Sequence, residues 1–236
     1  MSYRQERFLS SHQTVPRFAE LTVVKCVRNP RPTIFDIGAN RGQSYSRFRE
    51  LFPEAQIWSF EPDPDMYVLL QGLIAGDPRA CAVASAVGSK DGTTTLYRNN
   101  RSGTNSLAPI RDDSVWAREI GAGQRETITA RLVTLDSHCA REQIKYIDFA
   151  KFDIQGFEPD ALKGAQGLLE ARRIGLLQLE LIPAAFYDRI TTFSDVERWL
   201  LPHGYRLMTI NRIVTDDSGL MRACDVLYGL QRSELN

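Results

Sequence analysis

Two carboxylates, Asp36 and Glu61, occupy positions where an acid could grip a small ligand. Asp36 opens the stretch Asp36-Ile-Gly38-Ala39-Asn40-Arg-Gly42 at the end of the apolar run Thr33–Ile37, and Glu61 follows a second run, Gln56–Phe60, in Phe60-Glu61-Pro62. Glycines after a strand let the backbone approach a ligand closely and take angles barred to other residues. A carboxylate at the end of the next strand can accept hydrogen bonds from both hydroxyls of a ribose. The dinucleotide pattern G-x-G-x-x-G is absent, because the spacing here is Asp36-x-Gly38-x-x-x-Gly42. An acid at Asp36 would repel a pyrophosphate and suits a ligand carrying an amine and a sulfonium, so the pattern points to S-adenosylmethionine. The expected cofactor contacts are Asp36, Gly38, Ala39, Asn40, Gly42 and Gln43 around the first turn, and Glu61 with Pro62 at the ribose. Ser85, Ala86 and Val87, which close a third apolar run, are expected beside the adenine. The plain alternative for Asp36 and Glu61 is a strand-end turn and a helix cap.

A second group of acids could act on a methyl acceptor. Asp153 and Glu180 fall near the ends of the runs Ile147–Ile154 and Ile174–Leu181, and Glu158 begins the helix after the first of these. Ligands of open α/β folds bind at the carboxyl edge of the sheet, so Asp153, Glu180 and Glu158 are the catalytic candidates, with Asp153 and Gln155 also expected near the cofactor. Transfer to a hydroxyl requires positioning of the acceptor oxygen and a destination for its proton. An ordinary aspartate near pKa 3.9 is a poor base for an alcohol unless burial raises it. Alternatively, Asp153 and Glu180 together could hold Mg²⁺, which would polarise the acceptor. Lys151 is expected to ion-pair with Asp153, Glu158 to favour its helix dipole, and His203 to end a helix. Trp58 and Trp199 read as core, whereas Trp116 could stack on a sugar.

These residues need a scaffold, and the chain supplies one by alternation. Strand candidates are Thr33–Ile37, Gln56–Phe60, Cys81–Val87, Ile147–Ile154, Ile174–Leu181, Tyr205–Asn211 and Asp225–Gln231, several of them near-continuous apolar runs suited to a sheet covered on both faces. Helical spacing recurs after Gly42, after Pro64 and beyond Glu158, and Ser194 with Glu197 offers a capping box before a helix that Gly204 ends. Between Gly88 and Leu135 two β-rich runs, Thr93–Arg98 and Thr127–Thr134, flank the polar segment Asn99 to Gln124. A segment that long in a compact domain tends to be functional, and it is expected to cover the acceptor site. The last two strands are too close in sequence for a helical crossover and should be antiparallel. The expected fold is α/β and Rossmann-like, with a seven-stranded, mostly parallel sheet, a C-terminal antiparallel hairpin and a β-rich insertion (about 89–135) after the third strand. A partly helical lead-in, residues 1–31 with a helix from roughly Pro16 to Val27, precedes a catalytic domain of residues 32–236.

Composition narrows the partners. The 236 residues carry 29 Lys+Arg against 29 Asp+Glu, so no net field draws the chain to nucleic acid or an anionic membrane. No run approaches the about 20 apolar residues of a membrane span, and the polar N-terminus lacks a secretory signal. A cytoplasmic location is expected, with Cys26, Cys81, Cys139 and Cys224 as scattered reduced thiols and little support for zinc. An oligomer remains compatible with the lead-in.

Taken in order, Asp36-Ile-Gly-Ala-Asn-Arg-Gly42, Phe60-Glu-Pro62, Ala86-Val-Gly88, Thr134-Leu-Asp136, Lys151-Phe-Asp-Ile-Gln-Gly-Phe-Glu158 and Leu162-Lys-Gly-Ala165 resemble the FkbM-type methyltransferases. The resemblance covers about residues 33 to 182 and implies a class I S-adenosylmethionine-dependent O-methyltransferase. Its acceptor would be a hydroxyl of a sugar, glycan or polyketide-type metabolite, with a carboxylate as the alternative. Many members carry an acidic residue and a histidine where this chain has Gln155 and Phe157, which argues against a histidine-based mechanism. A non-catalytic adenosyl-binding protein and a nicotinamide-dependent oxidoreductase are the competing readings.

Overall fold

The computed structural model describes residues 19–231. Among the described residues ten strands run in chain order: β1 Thr33–Ile37, β2 Gln56–Phe60, β3 Ala80–Val83, β4 Ala86–Val87, β5 Gly92–Asn99, β6 Gln124–Val133, β7 Ile147–Phe152, β8 Ile174–Leu181, β9 Tyr205–Thr215 and β10 Met221–Leu230. Seven of them form one sheet in the order β3-β2-β1-β7-β8-β10-β9. Its pairings are parallel from β3 through β8, and β10 then runs antiparallel to both β8 and β9. The order reverses between β1 and β7. At such a point the crossover helices leave on opposite faces and open a crevice at the carboxyl edge. Ile34, Phe35, Ile37, Phe149, Phe152, Leu177 and Leu179 are all fully or almost fully buried. That explains why the central strands read as unbroken apolar runs, with a hydrophobic core on each face of the sheet.

The structure corrects several expected boundaries. The run Cys81–Val87 is two strands, because the chain bends at Ala84–Ser85, where the Ser85 N–H donates to the Val83 carbonyl at 2.8 Å. β3 closes the main sheet, while β4 joins a separate three-stranded sheet, β4-β6-β5, made by the insertion. The helix beyond Glu158 divides into Glu158–Lys163 and Gln166–Glu170. Gly164 lies at the break, packed so closely on Gly88 that a Cβ there would fall 2.0 Å from the Gly88 carbonyl oxygen. The capping box is Thr192, the residue just before helix Phe193–Leu200, with Asp195, the third residue of that helix, rather than Ser194 with Glu197. The hairpin strands are longer than expected, with bulges in their pairing. In the lead-in, Glu20–Cys26 is helical, and the expected start from Pro16 to Phe18 lies outside the described residues. Among the described residues no helix is long and apolar enough to cross a membrane.

Candidate active site

The carboxyl ends of β1, β2 and β7 open into a cavity of about 820 Å³, within the range of small-molecule sites. At one end, β1 stops in a turn that needs glycine. Gly38 has φ 83°, and a Cβ on it would lie 2.0 Å from the Asp153 carbonyl oxygen at the end of β7. The Gly38 and Ala39 N–H groups donate to the Phe60 carbonyl at 3.1 and 2.9 Å, which ties this turn to the end of β2. Asn40 is also left-handed, at φ 51°. Its N–H donates to Glu61 Oε2 at 2.7 Å, and the Asp63 N–H donates to Glu61 Oε1 at 2.8 Å. Burial pushes the Glu61 carboxyl up to about 7, against the pull of those two backbone donors. Each oxygen keeps a lone pair for a ligand hydroxyl, and Glu61 lines the cavity. Apolar walls come from Phe60, Val87, Leu96, Leu107 and Ile154.

The other end is a lattice of charge. Lys151 Nζ donates to Asp153 Oδ2 at 2.8 Å and Gln155 Nε2 to Asp153 Oδ1 at 2.8 Å. Gln155 Nε2 also donates to Glu180 Oε2, and Arg212 to Glu180 Oε1. Arg212 Nε donates to Asp225 Oδ2 at 2.9 Å. Burial works against the Asp153 anion, but the Lys151 charge and the surrounding hydrogen bonds outweigh it and hold the carboxyl well below the usual carboxylate range. Burial, then repulsion from Asp153, push Glu180 well up, and Arg212 opposes them. Burial would lower Lys151, yet Asp153 and Asp36 keep it above its ordinary value and charged.

Most of the expected cofactor residues line this cavity: Gly38, Ala39, Asn40, Gln43, Glu61, Pro62, Ser85, Ala86, Val87, Asp153 and Gln155. Asp36 does not. It is fully buried behind the turn and acts from there on Lys151. Gly42 also stands behind the wall, at φ 84° beneath the helix Gln43–Leu51, with Leu73 Cδ2 2.5 Å from where its Cβ would be. Glu158 is fully buried and does not face the cavity. Its carboxylate accepts from the Ile154 N–H at 3.1 Å and from the Gly156 N–H, so it braces the loop after β7. Glu180 reaches the site only through Gln155 and Arg212. The magnesium expected at Asp153 and Glu180 finds no support: the two carboxylates are already charge-paired with Lys151 and Arg212 and bridged by the Gln155 amide, and those two cationic side chains would repel a divalent ion. Among the described residues no group of three or more His, Cys, Asp or Glu side chains is arranged to hold a metal. Trp116, within the insertion, packs edge-on against Phe186 with ring centroids 4.9 Å apart, carries the Arg222 guanidinium 5.8 Å from its ring centroid, and does not line the cavity.

Sequence reasoning missed Arg212 and Asp225, whereas the strap Ser102–Leu107 belongs to the polar segment expected over the acceptor site and does line the cavity. Asn105 Nδ2 donates to Asp63 Oδ2 at 2.8 Å, Ser106 Oγ to the Gln155 carbonyl at 2.8 Å, and Ser102 Oγ to Asn40 Oδ1 at 3.3 Å. The helix Glu20–Cys26 also walls the cavity, held by paired hydrogen bonds from Arg47 to Glu20 at 2.9 and 2.6 Å. An arginine inside the apolar run Ile210-Asn-Arg212-Ile213 was the one available signal for the hairpin's part.

Strand order, terminal hairpin and carboxyl-edge cavity together define the class I methyltransferase fold. Comparison with known proteins agrees. The methyltransferase FkbM domain matches residues 36–207, and the chain belongs to that family. The 2-O-methyltransferase NoeI of Sinorhizobium fredii is 27% identical over 161 residues, covering 64% of this chain and 64% of that protein. Methyltransferase sdnD of Sordaria araneosa is 28% identical over 155 residues, covering 56% of this chain and 60% of that protein. The match thus spans under two thirds of each relative. Among solved structures, the 1,6-didemethyltoxoflavin-N1-methyltransferase of Burkholderia thailandensis, with 1,6-didemethyltoxoflavin and S-adenosylhomocysteine bound, shares the fold. It has 13% identity and a TM-score of 0.50, over 98% of this chain and 84% of that one.

Proposed function

We propose that this protein is an S-adenosylmethionine-dependent O-methyltransferase whose acceptor is a hydroxyl of a sugar, glycan or polyketide-type metabolite. The observation that carries the reading is the continuity of the cavity, which runs from Glu61 to Asp153 without a dividing wall. The cofactor, when bound, supplies a methyl group activated by a sulfonium. Glu61 would accept the ribose hydroxyls, and Phe60, Val87 and Leu107 would flank the base. Asp153, with its side chain 33% exposed, would accept the hydrogen bond of the acceptor hydroxyl. Held as an anion by Lys151, Asp153 is a weak base that orients first. An alcohol oxygen becomes strongly acidic as it gains a carbon substituent, so Asp153 can take its proton late.

A carboxylate acceptor is less well supported. Placed 4 Å from Asp153 it would meet repulsion of about 4 kcal/mol at an effective dielectric of about 20, and Lys151 is already paired. The family membership and the name of NoeI as a 2-O-methyltransferase support the hydroxyl reading. The test is thermal unfolding with S-adenosylhomocysteine, S-adenosylmethionine, NADH and ATP in parallel, followed by a methyl-transfer screen over matched hydroxyl and carboxylate acceptors. Stabilisation by the two adenosyl ligands alone, with turnover of hydroxyls, is expected. Binding without turnover across both panels would favour a non-catalytic adenosyl-binding protein, and stabilisation by NADH alone would return the oxidoreductase.

A further inference from the structure

We propose that Gln155 is a positioning residue for methyl transfer: its amide clamps Asp153 against Glu180 with two N–H donors, so that Asp153 keeps one orientation toward the acceptor whatever the pH. The catalytic sense of this role rests on the methyltransferase reading above, whereas the clamp itself stands on hydrogen-bond geometry.

The position is fixed from the main chain outward. Gln155 sits in the left-handed region at φ 56°, followed by Gly156 at φ 99°. Its carbonyl accepts from Ser106 Oγ at 2.8 Å, and Glu158 pins the peptides on either side. From that anchor the side chain points between two acids. Nε2 meets Asp153 Oδ1 at 2.8 Å and Glu180 Oε2, and Oε1 accepts from Tyr187 Oη at 2.9 Å. A primary amide has two N–H donors, and here each faces one carboxylate. The reverse orientation would set the amide oxygen against both acids, so the network itself assigns the two ends.

A carboxylate at this position would behave differently. Ionised, it only accepts, and it would crowd Asp153 and Glu180 at hydrogen-bond distance, where three acids cannot all be charged. It could reproduce the clamp only by keeping a proton, and the clamp would open as that proton left. The amide donates at every pH. Gln155 thereby removes a titration from the site, while Lys151 fixes the other oxygen of Asp153.

The experiment compares wild type, Gln155→Glu and Gln155→Met by thermal unfolding from pH 5 to pH 8 without ligand. In Gln155→Glu the new acid has a folded-state pKa above its unfolded value near 4.3. Its contribution is therefore present at low pH and lost as pH rises. A hundredfold loss in the folding constant between pH 5 and pH 8 would widen its Tm gap from wild type by roughly 5–10 °C. Gln155→Met adds no titrating group, so its gap should change with pH by less than that of Gln155→Glu, only through the donors that Asp153 and Glu180 lose. A Gln155→Glu gap that widens with pH no more than that of Gln155→Met would overturn the proposal, as would failure of that variant to fold even at pH 5. With an acceptor that wild type methylates, Gln155→Met is expected to lower kcat tenfold or more with KM for S-adenosylmethionine unchanged. An unchanged kcat would overturn the positioning role. Should wild type neither bind S-adenosylhomocysteine nor transfer methyl, the functional reading falls and takes the catalytic sense of the clamp with it. The pH comparison would still report the clamp.

Discussion

The two ends of the cavity are built from different materials. The Glu61 end is mostly backbone: a left-handed turn, two N–H donors and one buried acid. The Asp153 end is mostly side chain, with Lys151 and Arg212 threaded among Asp153, Glu180 and Asp225. A backbone-built end tolerates little change in shape, because its geometry comes from φ angles and close approach. A charge-built end tolerates changes in shape but little change in charge, because each ion there is paired and Lys151, Glu180 and Asp225 are buried. The first suits a ligand part that never varies, and the second a part that does.

The sharpest way to break that contrast is at Gly38. Alanine there must hold a left-handed φ of 83° and accommodate a Cβ 2.0 Å from the Asp153 carbonyl oxygen. Gly38→Ala is expected to cost about 3–5 kcal/mol of stability and to abolish S-adenosylhomocysteine binding, as read by urea unfolding and calorimetry. Arg212→Ala attacks the other end. It strands Glu180 and Asp225, whose side chains are 9% and 5% exposed, and should cost about 3 kcal/mol. The sign of its pH dependence follows from burial. With the arginine gone both acids are pushed further up, so the loss should be greater at pH 8 than at pH 5. Equal urea midpoints for wild type and Arg212→Ala would mean the lattice carries no energy.

The same contrast explains what could be read from the sequence. The backbone end was legible because its residues are contiguous and their types are forced: glycine where φ is positive, an acid at the end of each strand. Even there Asp36 misled, since the strand-end position foretold its place in the fold but not that it points behind the turn. The charged end draws on four distant segments, and only Asp153, Gln155 and Glu180 lay in recognisable strand-end contexts. Arg212 and Asp225 depend on the β9–β10 register, with its bulges, and no local pattern fixes that. The mostly parallel sheet and its antiparallel last hairpin followed from alternation plus the short last connection. The break after Val83 and the split at Gly164 did not, because both depend on what the insertion packs against.

Glu61→Ala tests the backbone end at its one acid, and it also leaves the Asn40 and Asp63 N–H groups without the carboxylate that they donate to. Loss of the carboxylate that we propose takes both ribose hydroxyls should weaken S-adenosylhomocysteine by about 1.5–3 kcal/mol, roughly 10- to 150-fold. The pH profile sharpens the assignment. The folded pKa of about 7 lies above the unfolded value of 4.5, so Glu61 contributes stability below pH 4.5 that is lost as pH rises toward 7. Ribose donors favour the anion, so affinity should move the other way, falling about tenfold from pH 7.5 to pH 6. In Glu61→Gln that slope should vanish. Persistence of the full slope would assign the titration to another group.

The smallest expected effect asks whether the two ends are one site or two. The strap Ser102–Leu107 touches both, through Asn105 to Asp63 and through Ser106 to Gln155. Ser106→Ala removes a donor to the Gln155 carbonyl and the acceptor of the Ala108 N–H at 3.1 Å. For a buried neutral pair of bonds the cost should be about 1 kcal/mol of stability. If the backbone end is self-sufficient, S-adenosylhomocysteine affinity should fall by less than about threefold, because Glu61 keeps both of its own backbone donors. A loss as large as that of Glu61→Ala would show that cofactor grip depends on the strap's hold on the acceptor end. The contrast between a fixed end and an adaptable one would then give way to a single coupled site.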